Sequence, residues 1–278
     1  MHRIANKIFD KERSLFRLED AAVDSCIFDG PEDGESPLKE CSDIAVINTS
    51  FFLRYPLWHA HRFTLEKSYI DERARAALWY AEDGRISDCM LGGIKLLRES
   101  KNISLKNCAV RSTECGWRCS SLSFADVNAE GEYFLFESKD IKIDRLRYAG
   151  KYSFQYAENV EISDSILSTK DAFWHAKNVT VKNSILTGEY LGWYSEGLTL
   201  IGCTIMGTQP LCHCKRLKLV DCILFHTDFA FEGSEVEATV CGQIDSVKNP
   251  ESGCIEADGF GEVIQEEGAA LVRVRDKH

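Results

Sequence analysis

The sequence predicts an all-β fold: a single-stranded, right-handed parallel β-helix of about eleven coils with a 19-residue period. Three observations carry this. One position recurs at eight equal steps of 19 residues, through Cys89, Cys108, Val127, Leu146, Ser165, Ser184, Cys203, Cys222 and Cys241. Apolar residues two apart precede it in nearly every copy, as in Ile103 and Leu105, Val160 and Ile162, Val179 and Val181, and Leu217 and Leu219. Residues two apart share one face of a strand. No copy leaves room for a helix, and a unit this small cannot bury its own apolar face, so copies must stack. Right-handed winding is the usual hand of parallel crossovers.

Along the chain, residues 1–20 are expected to form an N-terminal cap, because terminal copies must cover the open core. Less regular copies follow, with IFDG after Cys26, AVINTSFF at 45–52 and FTLEKSYI at 63–70. From Cys89 each copy is regular. Asp or Asn often stands before the small residue, as at Asn107, Asp126, Asp164, Asn183 and Asp221, where polar side chains satisfy a bend. Eight residues after the small one comes a second core position, held by Leu97, Leu135, Phe154, Phe173, Leu211 and Ala230. A second small column runs through Ser100, Cys119, Ser138, Ala157, Ala176, Ser195, Cys214 and Gly233. Residues 249–278 are expected to form the C-terminal cap, so that 1–278 reads as one domain. A leucine-rich repeat would need Leu-x-Leu strands and asparagine turns, which these Cys, Ser and β-branched positions fit poorly.

Composition narrows the function classes. A net charge of −11 argues against a nucleic-acid partner, which needs a basic face. No run approaches the roughly 18 apolar residues of a membrane span. The first residues, MHRIANKIFDKERSLF, lack the apolar core of a secretory signal, so a cytoplasmic location is expected. In a reducing compartment the twelve cysteines behave as small buried hydrophobes, five of them in a column shared with serine. There is no C-x-x-C pair, and the triplet Cys212, His213 and Cys214 falls on positions that face in different directions, so neither a metal nor a cofactor is expected.

Packing does not account for the sixth and ninth residues after each small one. They pair as Lys95 and Arg98, Glu114 and Trp117, Tyr133 and Phe136, Tyr152 and Gln155, then Asp171 and Trp174, Tyr190 and Trp193, Gln209 and Cys212, and Asp228 and Phe231. The tenth position adds His175, Tyr194, His213 and Glu232. Stacked copies turn these into columns in which flat rings lie beside acids and amides. Such a face suits an oligo- or polysaccharide, whose apolar ring faces meet aromatics while hydroxyls meet polar groups. Lys95, Arg98, Glu114, Trp117, Tyr152, Gln155, Trp174, Tyr190, Trp193, Gln209 and Phe231 are the expected sugar contacts.

Glu189 stands one coil from Asp171 and two from Asp228, which spaces carboxylates by roughly 5 to 10 Å. That range covers both geometries of paired-carboxylate glycoside hydrolysis. Lys170 beside them could modulate these acids, and a lyase would use a base with a cation to neutralise a uronate. Asp171, Glu189, Asp228 and Lys170 are therefore the candidate catalytic set of a glycoside hydrolase or polysaccharide lyase. The competing reading is a non-catalytic module whose aromatic face shields the sheet or docks a partner or a second copy.

The segments DGESPLKE (33–40), YPLW (55–58), ARAALWY (74–80), KDAFW (170–174), GEYLGW (188–193), GTQPLC (207–212), DFAFE (228–232) and NPESG (249–253) resemble an uncharacterised microbial family of right-handed parallel β-helix proteins, a domain of unknown function. The resemblance spans nearly the whole chain. It implies the fold and a single domain, and it assigns no activity or catalytic residue.

Overall fold

The computed structural model describes residues 2–30, 35–265 and 270–274. Among them are no helices, and so none long and apolar enough to cross a membrane. Asp33 and Gly34 of DGESPLKE, together with Met1, 266–269 and 275–278 of the expected caps, lie outside the described residues. The fold is an all-β parallel β-solenoid of about 14 turns, rather than about eleven. The difference has a local cause. The period of 19 is kept where Lys101 pairs with Ser120 and Lys177 with Glu196. Elsewhere it stretches to 23 between Ala21 and Ile44 and to 21 between His61 and Glu82, and it shortens to 17 between Cys254 and Leu271. Residues are gained or lost in the bends, where loop length costs little, so a strict repeat search loses count while the strands stay paired.

The chain divides into two compact units, residues 1–142 and 143–278. In the first, a column of long strands runs through His2–Ala5, Glu19–Asp24, Ser42–Ile47, His61–Glu66, Glu82–Ser87, Lys101–Lys106 and Ser120–Ala125, each parallel to the next. A second column of shorter strands runs from Ile8–Phe9 through Ile27–Phe28, Ser50–Phe51, Tyr69–Ile70, Met90–Ile94 and Ala109–Thr113 to Asn128–Glu132. Burial alternates along every long strand, as in Ile44 and Val46 or Phe63 and Leu65. The alternate residues point outward because the pleat has period two.

The second unit repeats this plan. Its long strands are Glu158–Ser163, Lys177–Lys182, Glu196–Ile201, Leu217–Phe225, Glu235–Val240, Ser252–Ala257 and Leu271–Val274. Its short strands Arg147–Lys151, Ile166–Lys170, Ile185–Thr187 and Thr204–Met206 lead into the end of Leu217–Phe225. Gln243–Lys248 and Gly259–Ile264 form a separate parallel pair.

The third side of each turn has no regular strand, yet it is bonded from turn to turn. In 171–175 the Asp171 N–H donates to the Glu189 carbonyl one turn on (2.9 Å), Phe173 to Ser153 one turn back (3.0 Å), and His175 to Trp193 (3.0 Å). This alternation needs left-handed backbone at every second residue: Asp171, Phe173 and His175 have φ of 53°, 60° and 54°. Such a conformation costs about 1–2 kcal/mol per L-residue. Burial of a large side chain, worth about 1.5–3 kcal/mol, offsets it at the middle position. Leu57, Leu78, Leu97 and Leu135 hold that position in the first unit and Phe154, Phe173 and Leu211 in the second, all fully buried.

The small-residue columns cap the bends. The Leu146 N–H donates to Ser165 Oγ and the Ser165 N–H to Ser184 Oγ (both 3.0 Å), and Ser184 Oγ donates to the Lys182 carbonyl (2.7 Å). Cys89 Sγ takes the same role for the Ser68 N–H (3.4 Å). Serine and cysteine exchange here because each is small and offers one acceptor and one donor. None of the cysteines forms a disulfide, and ten are buried.

Candidate functional site

In the first unit, Lys95, Arg98, Glu114 and Trp117 are brought together. Lys95 Nζ and Arg98 Nη1 lie 3.6 and 3.8 Å from Glu114 Oε2. The Arg98 guanidinium lies 5.6 Å from the centroid of Trp79 and 5.4 Å from that of Trp117. It belongs to a longer stack in which Lys39 covers Trp58 (4.3 Å), Trp58 stacks on Trp79 (5.7 Å, 13°) and Trp117 leans on Phe136 (4.9 Å). The Trp117 indole N–H donates to the Tyr133 carbonyl (2.9 Å). Cations and rings alternate along this stack and cover each other's faces. Lys39, Trp58 and Trp79 were missed by the sequence reading. A step of 19 back from Arg98 does reach Trp79; a further step of 21, set by the longer bend, reaches Trp58.

In the second unit, Lys170, Asp171, Glu189 and Tyr190 form a polar patch on adjacent turns. The end of strand Ile166–Lys170 and the bend after Ile185–Thr187 present them. Lys170 Nζ is 2.8 Å from Glu189 Oε2 and 5.3 Å from the Tyr190 ring centroid. The pair is solvent-exposed, and Glu189 holds the Lys170 ammonium above its ordinary pKa. Asp171 is different: only 9% of its surface is exposed, and burial pushes its pKa up; Lys170 pulls it down while the Glu189 charge pushes it up again. Two acids one turn apart thus differ in exposure, Asp171 buried and Glu189 open to solvent.

Rings surround the patch. Tyr190 meets Trp193 edge to face (5.2 Å, 74°). Trp193 also stands at 77° to Trp174, 79° to Tyr194 and 84° to His213. It is half-buried, and its indole N–H donates to the Gln209 carbonyl (2.7 Å). Gln155 makes the corresponding bond to the Asp171 carbonyl (3.0 Å), whereas the buried Trp174 N–H has no hydrogen-bond partner. Beside them, Tyr156, His175, Tyr194 and His213 stack in a row at 5.1, 5.1 and 4.9 Å, within 15° of parallel.

Of the other expected residues, Tyr152 adjoins this patch, whereas Asp228 and Phe231 fall apart from it. Tyr152 is half-buried, one turn before Lys170, to whose carbonyl its N–H donates (2.8 Å). Asp228 is exposed beyond Gln209, whose N–H its carbonyl accepts (2.9 Å), and so lies well removed from Asp171. Phe231, expected on the sugar face, is fully buried. The reason is a register slip. The short strands still pair at a step of 19 as far as Met206 with Phe225, after which the left-handed positions move from Gln209, Leu211 and His213 to Phe229, Phe231 and Gly233, which are 20 residues on. One extra residue carries Phe231 into the core column.

The side chains of the triplet 212–214 have separate surroundings. Burial pushes the Cys212 thiol up to about 12 and the Cys214 thiol up to about 11, and His213 belongs to the ring stack. Among the described residues no group of three or more His, Cys, Asp or Glu could hold a metal ion.

Stacked parallel turns, capped bends and a third side of left-handed residues carrying rings and acids define a parallel β-solenoid. The chain belongs to the family DUF3737, a protein family of unknown function, whose model matches residues 2–273. Among curated proteins nothing matches it. Solved structures similar to it include a tailspike protein of the E. coli bacteriophage HK620 in complex with a hexasaccharide (11% identity, 93% of this chain and 62% of that chain, TM-score 0.49). Another is an endo-xylogalacturonan hydrolase from Aspergillus tubingensis (10% identity, 97% and 87%, TM-score 0.33). A third is the pentapeptide repeat protein HetL from Nostoc sp. strain PCC 7120 (12% identity, 80% and 92%, TM-score 0.32). The chain spans 62% of the length of the tailspike chain it matches.

Proposed function

We propose that the second unit binds a carbohydrate at the patch centred on Trp193. The observation that carries this reading is the orientation of that ring. Rings stacked parallel cover one another and offer only edges, but Trp193 meets all four of its ring neighbours at 74–84° and is sandwiched by none in parallel. A half-exposed indole of this kind suits the apolar face of a pyranose. The Lys170 and Glu189 pair, Asp171 and the Tyr190 hydroxyl supply polar groups for its hydroxyls. In the first unit, Lys95, Arg98, Glu114 and Trp117 are engaged with one another and with covered rings, which favours a structural role for that stack.

The test is a glycan-array screen of the wild type beside Trp193→Ala and Trp193→Phe. Binding that is lost in the alanine variant and partly kept in the phenylalanine variant supports the reading. Absence of any binder, or binding indifferent to Trp193→Ala, overturns it.

The unequal acids supply a second step. Asp171, whose pKa is raised by burial, donates its proton to the glycosidic oxygen. Glu189, paired with Lys170, then assists attack at the anomeric carbon, either directly or through a water molecule that it deprotonates. Release of reducing ends from a bound glycan, abolished by Asp171→Asn and by Glu189→Gln, supports cleavage; binding without release leaves a lectin-like protein.

A further inference from the structure

Tyr156, His175, Tyr194 and His213 occupy the same place in four successive turns of the second unit. Their φ values lie between 54° and 58°, and each N–H donates to a carbonyl of the following turn, that of Trp174, Trp193, Cys212 and Glu232 respectively. The row is therefore spaced by the backbone. Its rings cover each other's faces at 4.9–5.1 Å and leave their edges outward, with Tyr156 50% and Tyr194 43% exposed. Those edges carry phenol hydroxyls and imidazole nitrogens, groups that both donate and accept hydrogen bonds. Stacking alone would be served equally well by phenylalanine, which none of these four positions holds.

We propose that this row is the binding track for an extended linear polysaccharide lying along the solenoid axis, with one pyranose per turn. The inference rests on the carbohydrate reading above and names its substrate class. A pyranose linked through opposite ring positions advances its chain by close to one ring length, which matches the spacing of adjacent turns, about 4.8 Å. Each sugar thereby meets one ring edge, and a ligand of four residues meets them all. Trp193 lies 6.0 Å from Tyr194 and 5.5 Å from His213, so the turned indole sits beside the third and fourth rungs. The row ends at Gly233, which holds the next left-handed position (φ 61°) and carries no side chain. A compact or branched glycan would engage Trp193 and leave most of the row unused.

The experiment titrates the protein by calorimetry with cello-, xylo-, manno- and galacturono-oligosaccharides of two to eight residues. In the series that binds, affinity is expected to rise by about tenfold from two to four residues, as two further hydrogen-bonding rungs are engaged, and then to level off. Tyr156→Phe combined with Tyr194→Phe keeps the stack and removes both hydroxyls. It is expected to weaken the tetrasaccharide several-fold with thermal stability unchanged. Affinity independent of length, or tetrasaccharide binding untouched by the double variant, overturns the track while leaving carbohydrate binding at Trp193 intact. Failure of every series to bind overturns both.

Discussion

Phe173→Ala should cost the turn that carries Asp171 about 4 kcal/mol. Phe173 is 1% exposed and stacks on Phe154 at 5.1 Å and 13°. Burial of its side chain contributes about 2–3 kcal/mol, and the ring pair about 0.5–1.5 kcal/mol more. The cavity left by truncation brings the total into the range of about 3–5 kcal/mol seen for buried Phe→Ala changes. Gly192, at the corresponding place in the next turn, has no side chain with which to refill the space. The assay is urea unfolding at neutral pH. With a slope of about 3 kcal/mol per M, the midpoint should fall by more than 1 M. Phe173→Leu is the control. Leucine already occupies this left-handed position at Leu97, Leu135 and Leu211, with φ of 57–62°, so the loss should be about 1–2 kcal/mol. A cost below about 1 kcal/mol for alanine, or an equal cost for leucine, would refute the account of this column as the core of the third side.

Other expectations follow from the same geometry. Burial raises the Asp171 pKa in the folded chain, so the proton is held more tightly there than in the unfolded chain. The stabilisation from that proton is complete below the unfolded value of about 3.9 and disappears as pH rises through the raised folded value. The melting temperature of the wild type relative to Asp171→Asn should therefore decline from acid to neutral pH, and a pH-independent difference would contradict it. Ser184→Ala removes the acceptor of the buried Ser165 N–H and should cost about 1–3 kcal/mol; Ser184→Cys should cost less, since cysteine caps the same bend elsewhere in the column. Gly188→Ala meets two obstacles, a φ of 146° and a methyl that would run into the Thr169 carbonyl. It should lose more than about 1 kcal/mol in thermal or urea unfolding, and a neutral substitution would show that the turns are less closely apposed than described.

Much of the fold could be read without coordinates because its rules are local and repeated. The alternation of Val160 and Ile162, or of Leu198 and Leu200, dictates which face of a strand is buried, since successive side chains point to opposite sides. A constant step of 19 then places like residues above one another. Wherever the step changes, like residues no longer stand 19 apart in sequence. The longer bends hid Trp58 and Lys39 from the column that continues to Arg98, and the single extra residue after Cys222 turned Phe231 inward although its spacing from Cys212 looked regular.

The sixth, ninth and tenth columns were legible as columns. Their chemistry was not, because spacing within a turn says which face a residue occupies but not which rotamer it adopts. That choice is made by whatever lies in the turns above and below. Trp117 leans on Phe136 whereas Trp193 stands across its neighbours, though both hold the ninth position and both donate to a backbone carbonyl of the next turn. Among the acids, Glu189 meets Lys170 and influences Asp171, while Asp228 lies one turn beyond Gln209. Sequence order and strand periodicity were thus enough for a parallel solenoid and its core. The turned indole, the buried and exposed acids and the row of ring edges arise only when turns stack, because each depends on contacts between residues about 19 positions apart.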